Sequence, residues 1–153
     1  MKTYHVGGIN PIRRCKTLAD ALAKVNHDDI IELHKNINET VIVTHDVIIN
    51  GNGNTLTVDN GHVGMRFDTN ATINDLNVIS ESKANALVFT ENANLTNVTL
   101  TVKHTRVAIK GVKETRMTET SISCGYSSKE ARRIFSFVET DSVAIIRFDV
   151  AVC

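Results

Sequence analysis

The chain has 153 residues, 42% of them hydrophobic, with one proline and no tryptophan, the profile of a single packed domain rather than a disordered or linker-rich chain. Its 17 basic and 17 acidic residues cancel, so no overall field draws it to nucleic acid or to an anionic membrane. Aromatics are 5%, too few for the stacking platforms that hold single strands, and Cys15, Cys124 and Cys153 are too scattered for a disulfide framework or a CxxC metal site.

Met1 to Gly8 lacks an apolar run of signal-peptide length, and no segment could span a bilayer as a helix. The expected setting is therefore the cytoplasm, or a phage or non-classically exported particle. Residues 2–6 alternate as a short strand, and Asn10-Pro11 marks a turn. Thr17 has the character of an N-cap, with Asp20 at the capping-box position. Leu18, Ala21, Leu22 and Val25 then follow at helical spacing, which predicts an amphipathic helix over 17–26. Ile30-Ile31-Glu32-Leu33 reads as the first buried strand. The Asn-x-Thr triplets at Asn38, Asn70, Asn94 and Asn97 are the yield of an Asn/Thr-rich chain and no glycosylation is read from them.

From residue 39 onward the apolar positions repeat. Val41, Met65, Leu87, Ile109 and Phe135 are separated by 24, 22, 22 and 26 residues. Ile49, Ile73, Leu95, Met117 and Val143 have the same separations, so the two anchors stand eight apart in each unit. Two residues after the first anchor come Val43, Phe67, Phe89, Gly111 and Phe137; five after the second, in the last four units, come Val78, Leu100, Ile122 and Phe148. The four extra residues of the last interval fall within Cys124–Arg133, an expected exposed corner. A unit of about 22 residues made of short strands cannot bury its face alone, but a stack of such units can. The expectation is an all-β parallel β-solenoid of five to six rungs, roughly 25 Å long at the usual strand spacing. It is one domain over 1–153, with a capping helix at 17–26 and coils over 30–153.

The run Thr17-Leu18-Ala19-Asp20-Ala21-Leu22, then Asp28-Asp29-Ile30-Ile31-Glu32-Leu33, Glu39-Thr40-Val41-Ile42-Val43 and Val47-Ile48-Ile49-Asn50-Gly51-Asn52-Gly53, resembles the start of right-handed parallel β-helix proteins of the pectin-lyase-like superfamily. The likeness covers 17–58 in sequence and the later coils through periodicity alone. It implies a right-handed coil with the helix as a lid on the first turn. The superfamily includes polysaccharide lyases and hydrolases, viral tailspikes, adhesins and non-catalytic scaffolds, so it does not by itself imply a reaction.

Lyase or hydrolase chemistry would need clustered carboxylates on outward positions. One outward column reads Ile42, Arg66, Val88, Lys110 and Ser136, and its neighbour Thr44, Asp68, Thr90, Val112 and Val138. On the second strand the columns read Ile48, Thr72, Asn94, Arg116 and Ser142, then Asn50, Asn74, Thr96, Thr118 and Ala144. None holds a carboxylate cluster. Arg66, Asp68 and Lys110 are the nearest approach to a catalytic set, and Arg66 with Asp68 reads first as a surface ion pair worth ~0.2–1 kcal/mol. Gly61-His62-Val63-Gly64 only faintly echoes the hydrolase motifs.

Weaker signals read as structural. Asp59, Asn60, His62 and Asp68 describe a solvated corner, Lys103, His104, Arg106 and Lys110 a local basic spot, and His45-Asp46 a polar turn. Gly51-Asn52-Gly53 lacks the following helix of a phosphate loop. Asn50, Asn74 and Asn97 suit turn and ladder roles. The Thr/Ser face, with Thr96, Thr99 and Thr118 as its ligand-binding candidates, suits a flat recognition surface as well as ordinary strand positions. Val143–Cys153 is the most apolar segment, expected to form an uncapped last coil. Val138, Ile145, Phe148, Val150 and Val152 are then the candidate oligomer interface. The functional expectation is a non-catalytic, oligomeric scaffold or surface-recognition module with polysaccharide as the candidate ligand, the alternative being a carbohydrate-active enzyme or its remnant. No metal, cofactor, nucleic-acid partner or membrane partner is expected.

Overall fold

The computed structural model describes residues 1–58, 65–81, 85–103, 107–124, 132–133, 137–140 and 143–152; for 107, 108, 124 and everything from 132 onward it gives a backbone path alone. Among the described residues, sixteen strands and one helix follow in order. The chain begins with β1 (Thr3–Val6), β2 (Arg14–Cys15), α1 (Leu18–Leu22), β3 (Ile30–Leu33) and β4 (Ile37–Asn38). Then come β5 (Ile42–Val43), β6 (Val47–Asn50), β7 (Thr55–Val58), β8 (Met65–Phe67), β9 (Ala71–Ser80), β10 (Leu87–Phe89) and β11 (Ala93–Val102). The chain closes with β12 (Val107–Thr118), β13 (Ser121–Cys124), β14 (Arg132–Arg133), β15 (Phe137–Thr140) and β16 (Val143–Val152).

The strands coil into an all-β parallel solenoid of about four turns. Three parallel ladders run along it, each strand bonded to its equivalent one turn away. One joins β3, β6, the first half of β9, the first half of β11 and the end of β12. A second joins β4, β7 and the second halves of β9 and β11 to β13. The third joins β5, β8, β10 and the start of β12.

The apolar columns expected from the repeat are the inward columns of these ladders. Ile31, Ile49, Ile73, Leu95 and Met117 are in register, as are Met65, Leu87 and Ile109, and all are buried. Phe67 and Phe89 stack with ring centroids 5.0 Å apart, and both are fully buried. Each burial of this kind is worth about 1.5–3 kcal/mol. Gly111 ends that aromatic column, where a Cβ would come within 2.8 Å of Thr115 Oγ1.

Corners have their own chemistry. Asp75, Asn97 and Glu119 each follow an outward residue of the first ladder and all take positive φ, at 52°, 52° and 48°. There the in–out alternation slips by one residue, so β9 and β11 turn from one side of the coil to the next while remaining strands. Gly51 permits the closest contact at this corner, since its Cβ would lie 2.4 Å from Asp75 O.

The predicted lid is present but shorter than expected, Leu18–Leu22 rather than 17–26. Thr17 caps it, accepting from Asp20 N at 3.0 Å. The carboxylate of Glu39 reaches across from the first coil to accept from Leu18 N and Ala19 N at 2.8 and 3.1 Å. Tyr4 OH donates to Lys24 O at 3.0 Å and fastens the end of the helix segment to β1. No helix among the described residues is long and apolar enough to cross a membrane.

The C-terminal unit departs from the expected extra rung. β16 runs antiparallel to β12, from Val143 opposite Thr118 to Val152 opposite Val107, with register shifts at Val107/Ile109 and Gly111/Glu114. β14 and β15 add to it, also antiparallel. Alternating apolar residues present the same face in either strand direction, so a period-two pattern cannot fix the sense of pairing. Beyond the insertion the chain has lost the 22-residue phase and returns along the last rung. The expected open coil is therefore covered, and β15 and β14 lie outside β16. Phe135, Ser136, Ser142 and residues 125–131 of the inserted corner lie outside the described residues.

Candidate functional site

The outward residues of the first ladder form one continuous row. Register pairs link Arg14 to His5, His5 to Glu32, Glu32 to Asn50, Asn50 to Asn74, Asn74 to Thr96 and Thr96 to Thr118. Next to it runs the corner row Asp75, Asn97 and Glu119, and beyond the corner the row Thr55, Asn77, Thr99 and Ser121. Thr96 and Thr99 are exposed and Thr118 is half-buried, so the three candidate ligand-binding threonines belong to a shared polar face crossing the corner.

Most polar contacts of this face run along the stack. Asn74 Nδ2 donates to Asn50 Oδ1 at 3.0 Å, Asn97 Nδ2 to Asp75 Oδ1 at 2.8 Å, and Thr99 Oγ1 to Asn77 Oδ1 at 2.6 Å. Lys103 meets Glu81 at 2.7 Å, and Lys113 pairs with Glu91, again one turn away. The ladder role expected for Asn50, Asn74 and Asn97 is thus what their side chains perform.

Arg66 and Asp68, on the third ladder, are joined by a short ion pair from Nε to Oδ1. Both are substantially exposed, so the pair adds little stability. Lys110 is in register with Arg66 through Val88, two turns away. At about 4.8 Å per turn that is roughly 10 Å, and no direct contact unites the three. Val138 is opposite Ile145, Val150 opposite Lys110 and Val152 opposite Val107 in the C-terminal antiparallel strands; Phe148 belongs to β16. Asp59, Asn60, His62, His104 and Arg106 lie outside the described residues.

At the other end of the polar row, His5, Glu32 and His34 converge, a set no motif in the sequence singles out. His5 Nδ1 and His34 Nε2 stand 2.9 Å apart. Glu32 Oε2 lies 3.8 Å from His5 Nδ1 and 3.6 Å from His34 Nε2. The side chains are 15%, 32% and 34% exposed for His5, Glu32 and His34, so the cluster is shielded yet open to solvent. The pairing of β1 with β3 sets His5 opposite Glu32, and His34 follows two residues on with its N–H bonded to Val6 O at 3.0 Å. The available clue was Glu32-Leu33-His34 in a strand register with a second histidine, which required knowing that β1 neighbours β3.

Elsewhere two groups are electrostatically displaced. The N–H groups of Asn26 and Lys2 donate to Asp29 and hold its carboxyl below the ordinary value, against the opposing effect of burial. Burial pushes the Cys15 thiol up, and this free cysteine lies beneath the surface next to Arg13 O.

Compared with known proteins, the chain matches no family model, no curated protein and no solved structure.

Proposed function

We propose that the protein is a non-catalytic β-solenoid scaffold with a surface-recognition face, of the right-handed pectin-lyase-like kind that residues 17–58 resemble. Its ligand is an extended polysaccharide, bound along the polar rows that contain Thr96, Thr99 and Thr118. The observation that carries the proposal is the in-register outward row Asn50, Asn74, Thr96 and Thr118 beside Asn77, Thr99 and Ser121. Polar groups repeating at about 4.8 Å on a rigid sheet offer equivalent hydrogen bonds to successive units of a regular polymer.

The enzyme alternative has weaker support. Arg66 and Asp68 neutralise each other and Lys110 stands apart, so the nearest thing to a catalytic set has neither paired carboxylates nor a free base beside an acid. Association of copies through the C-terminal strands remains part of the proposal, with Val138, Ile145, Phe148, Val150 and Val152 as its residues. Because β16 already occupies the edge of β12 and is itself flanked by β15 and β14, an edge contact would form through Val138 on β15, with Ile145, Phe148, Val150 and Val152 on β16 inside that edge.

A panel of acidic and neutral polysaccharides tests both parts. Binding without cleavage that falls about tenfold in Thr96→Val/Thr99→Val, as expected when one or two hydrogen bonds of ~1 kcal/mol are lost, supports recognition. Release of reducing ends or unsaturated products transfers the assignment to the enzyme. Light scattering that gives a strict monomer at high concentration removes the oligomer.

A further inference from the structure

We infer that His5, Glu32 and His34 form a binding site for a divalent first-row transition-metal cation of the Zn²⁺ class. Three donor atoms from three side chains, two imidazole nitrogens and a carboxylate oxygen, face a common point. Donors about 2.0–2.2 Å from a tetrahedral cation stand roughly 3.3–3.5 Å from one another. The separations here, 2.9, 3.6 and 3.8 Å, bracket that figure. Small side-chain rotations bring all three to bonding distance, with the backbone left in place. The fourth position faces solvent and would take water or a group from a ligand.

The backbone under the site is well anchored. Tyr4, Val6, Ile31 and Leu33, which alternate with the donors along β1 and β3, are all buried. Gly8, at φ +75°, clears the way for His34: a Cβ there would lie 3.1 Å from His34 Cβ and Cγ. Asn10 flanks His5 on its far nitrogen, with Nδ2 at 3.3 Å from Nε2, while its Oδ1 accepts from Ile12 N at 2.9 Å. In that arrangement His5 Nε2 accepts and Nδ1 donates to His34 Nε2. Metal binding replaces the bridging hydrogen: the proton on His5 moves from Nδ1 to Nε2, freeing both facing lone pairs for the cation without net proton release. The Asn10 contact then has to reverse, its carboxamide oxygen leaving the Ile12 N–H to take the place of its nitrogen beside His5.

The donor set also fixes the selectivity. Two imidazoles favour Zn²⁺, Cu²⁺, Ni²⁺ or Co²⁺ over Ca²⁺ and Mg²⁺, which prefer all-oxygen shells. The site stands independently of polysaccharide recognition, although it begins the same outward row that ends at Thr118.

Calorimetric titration of the full chain with Zn²⁺, together with the visible spectrum of the Co²⁺ form, tests the inference. Saturable binding near one equivalent is expected, with a four-coordinate Co²⁺ band and no displacement by excess Mg²⁺. His34→Ala and Glu32→Gln should each weaken Zn²⁺ at least about tenfold and weaken or alter the Co²⁺ band. His34 and Glu32 are partly exposed outward residues, so circular dichroism should register an unchanged fold. His27→Ala, at the separate His27/His45 corner, should leave the affinity as it was. The inference is overturned if the wild-type chain shows no saturable Zn²⁺ binding, or if the His5→Ala/His34→Ala chain binds as tightly as wild type.

Discussion

Asn74 donates its carboxamide to the carboxamide oxygen of Asn50, one turn below it, at 3.0 Å. The two residues sit directly opposite in the parallel register, so their side chains repeat the backbone ladder one layer further out. The bond is half-buried, and its loss also leaves the Asn50 oxygen poorly served. Asn74→Ala is expected to cost about 1 kcal/mol in urea unfolding, while Asn50→Asp, which retains the acceptor, should cost less. An Asn74→Ala chain as stable as wild type would show that the ladder is geometrically present but energetically idle.

Glu39 offers a sharper test of the lid. Its two oxygens take separate backbone N–H groups at the start of α1, and Thr17 takes a third. The carboxylate also meets the positive end of the helix dipole. Glu39→Gln keeps one acceptor and loses the charge, so it should destabilise by ~1 kcal/mol, and Glu39→Ala by ~1–2 kcal/mol. Amide exchange at Leu18 and Ala19 should accelerate before exchange in β9 or β11 does. Uniform loss of protection through the coil would instead mean that lid and solenoid unfold as one unit.

Much of this architecture was legible because a solenoid makes equivalent residues meet. Ile49, Ile73, Leu95 and Met117 repeat in sequence because each lies under the next, and their outward neighbours follow automatically. Of the three corner residues with positive φ, Asn97 was read as a turn residue, while Asp75 and Glu119 were not. Two relationships escaped for physical reasons. Strand direction is invisible to a period of two, so β16 read as a further rung. His5 and Glu32 are 27 residues apart, outside the 22-residue phase, because the loop and helix between β1 and β3 lengthen that turn. The candidate metal triad depends on that one irregular pairing.

Glu119 suggests a stabilising substitution. At φ 48° a side chain without local backbone bonding costs about 1 kcal/mol or more, whereas Asn and Gly tolerate this region. Glu119→Asn restores the chemistry of Asn97, one turn below, and is expected to raise stability by ~0.5–1 kcal/mol. Thermal unfolding should shift upward by a few degrees. A fall would indicate that Glu119 makes a stabilising contact the backbone argument does not include.

Thr115 is expected to respond in the same direction for a different reason. Its Oγ1 is fully buried and, among the described residues, has no hydrogen-bond partner. Below it in the same inward column stand Ala93, Ala71 and Val47, all apolar. Thr115→Val keeps the shape and removes the unsatisfied hydroxyl, so stability should rise by about 1 kcal/mol. Thr115→Ser keeps the hydroxyl and loses a methyl group, and should be destabilising. A destabilising Thr115→Val would require a partner for that oxygen.

Asp29 makes the acid limb of stability specific. Its carboxylate accepts from Asn26 N at 2.9 Å and Lys2 N at 2.7 Å, tying the end of the helix segment and the start of β1 to the first strand of the coil. These bonds hold its folded-state pKa below the ordinary 3.8. Folding therefore favours the ionised form, and the associated stability is fully present above the unfolded value. It declines as pH falls below about 4 and is gone once pH passes beneath the lower folded value. Asp29→Asn removes this dependence together with one of the two strong acceptors. The difference in unfolding free energy between wild type and Asp29→Asn should be largest near neutral pH and shrink on acidification. A constant difference from pH 7 to pH 2 would mean that the ionised carboxylate has no special role in the fold.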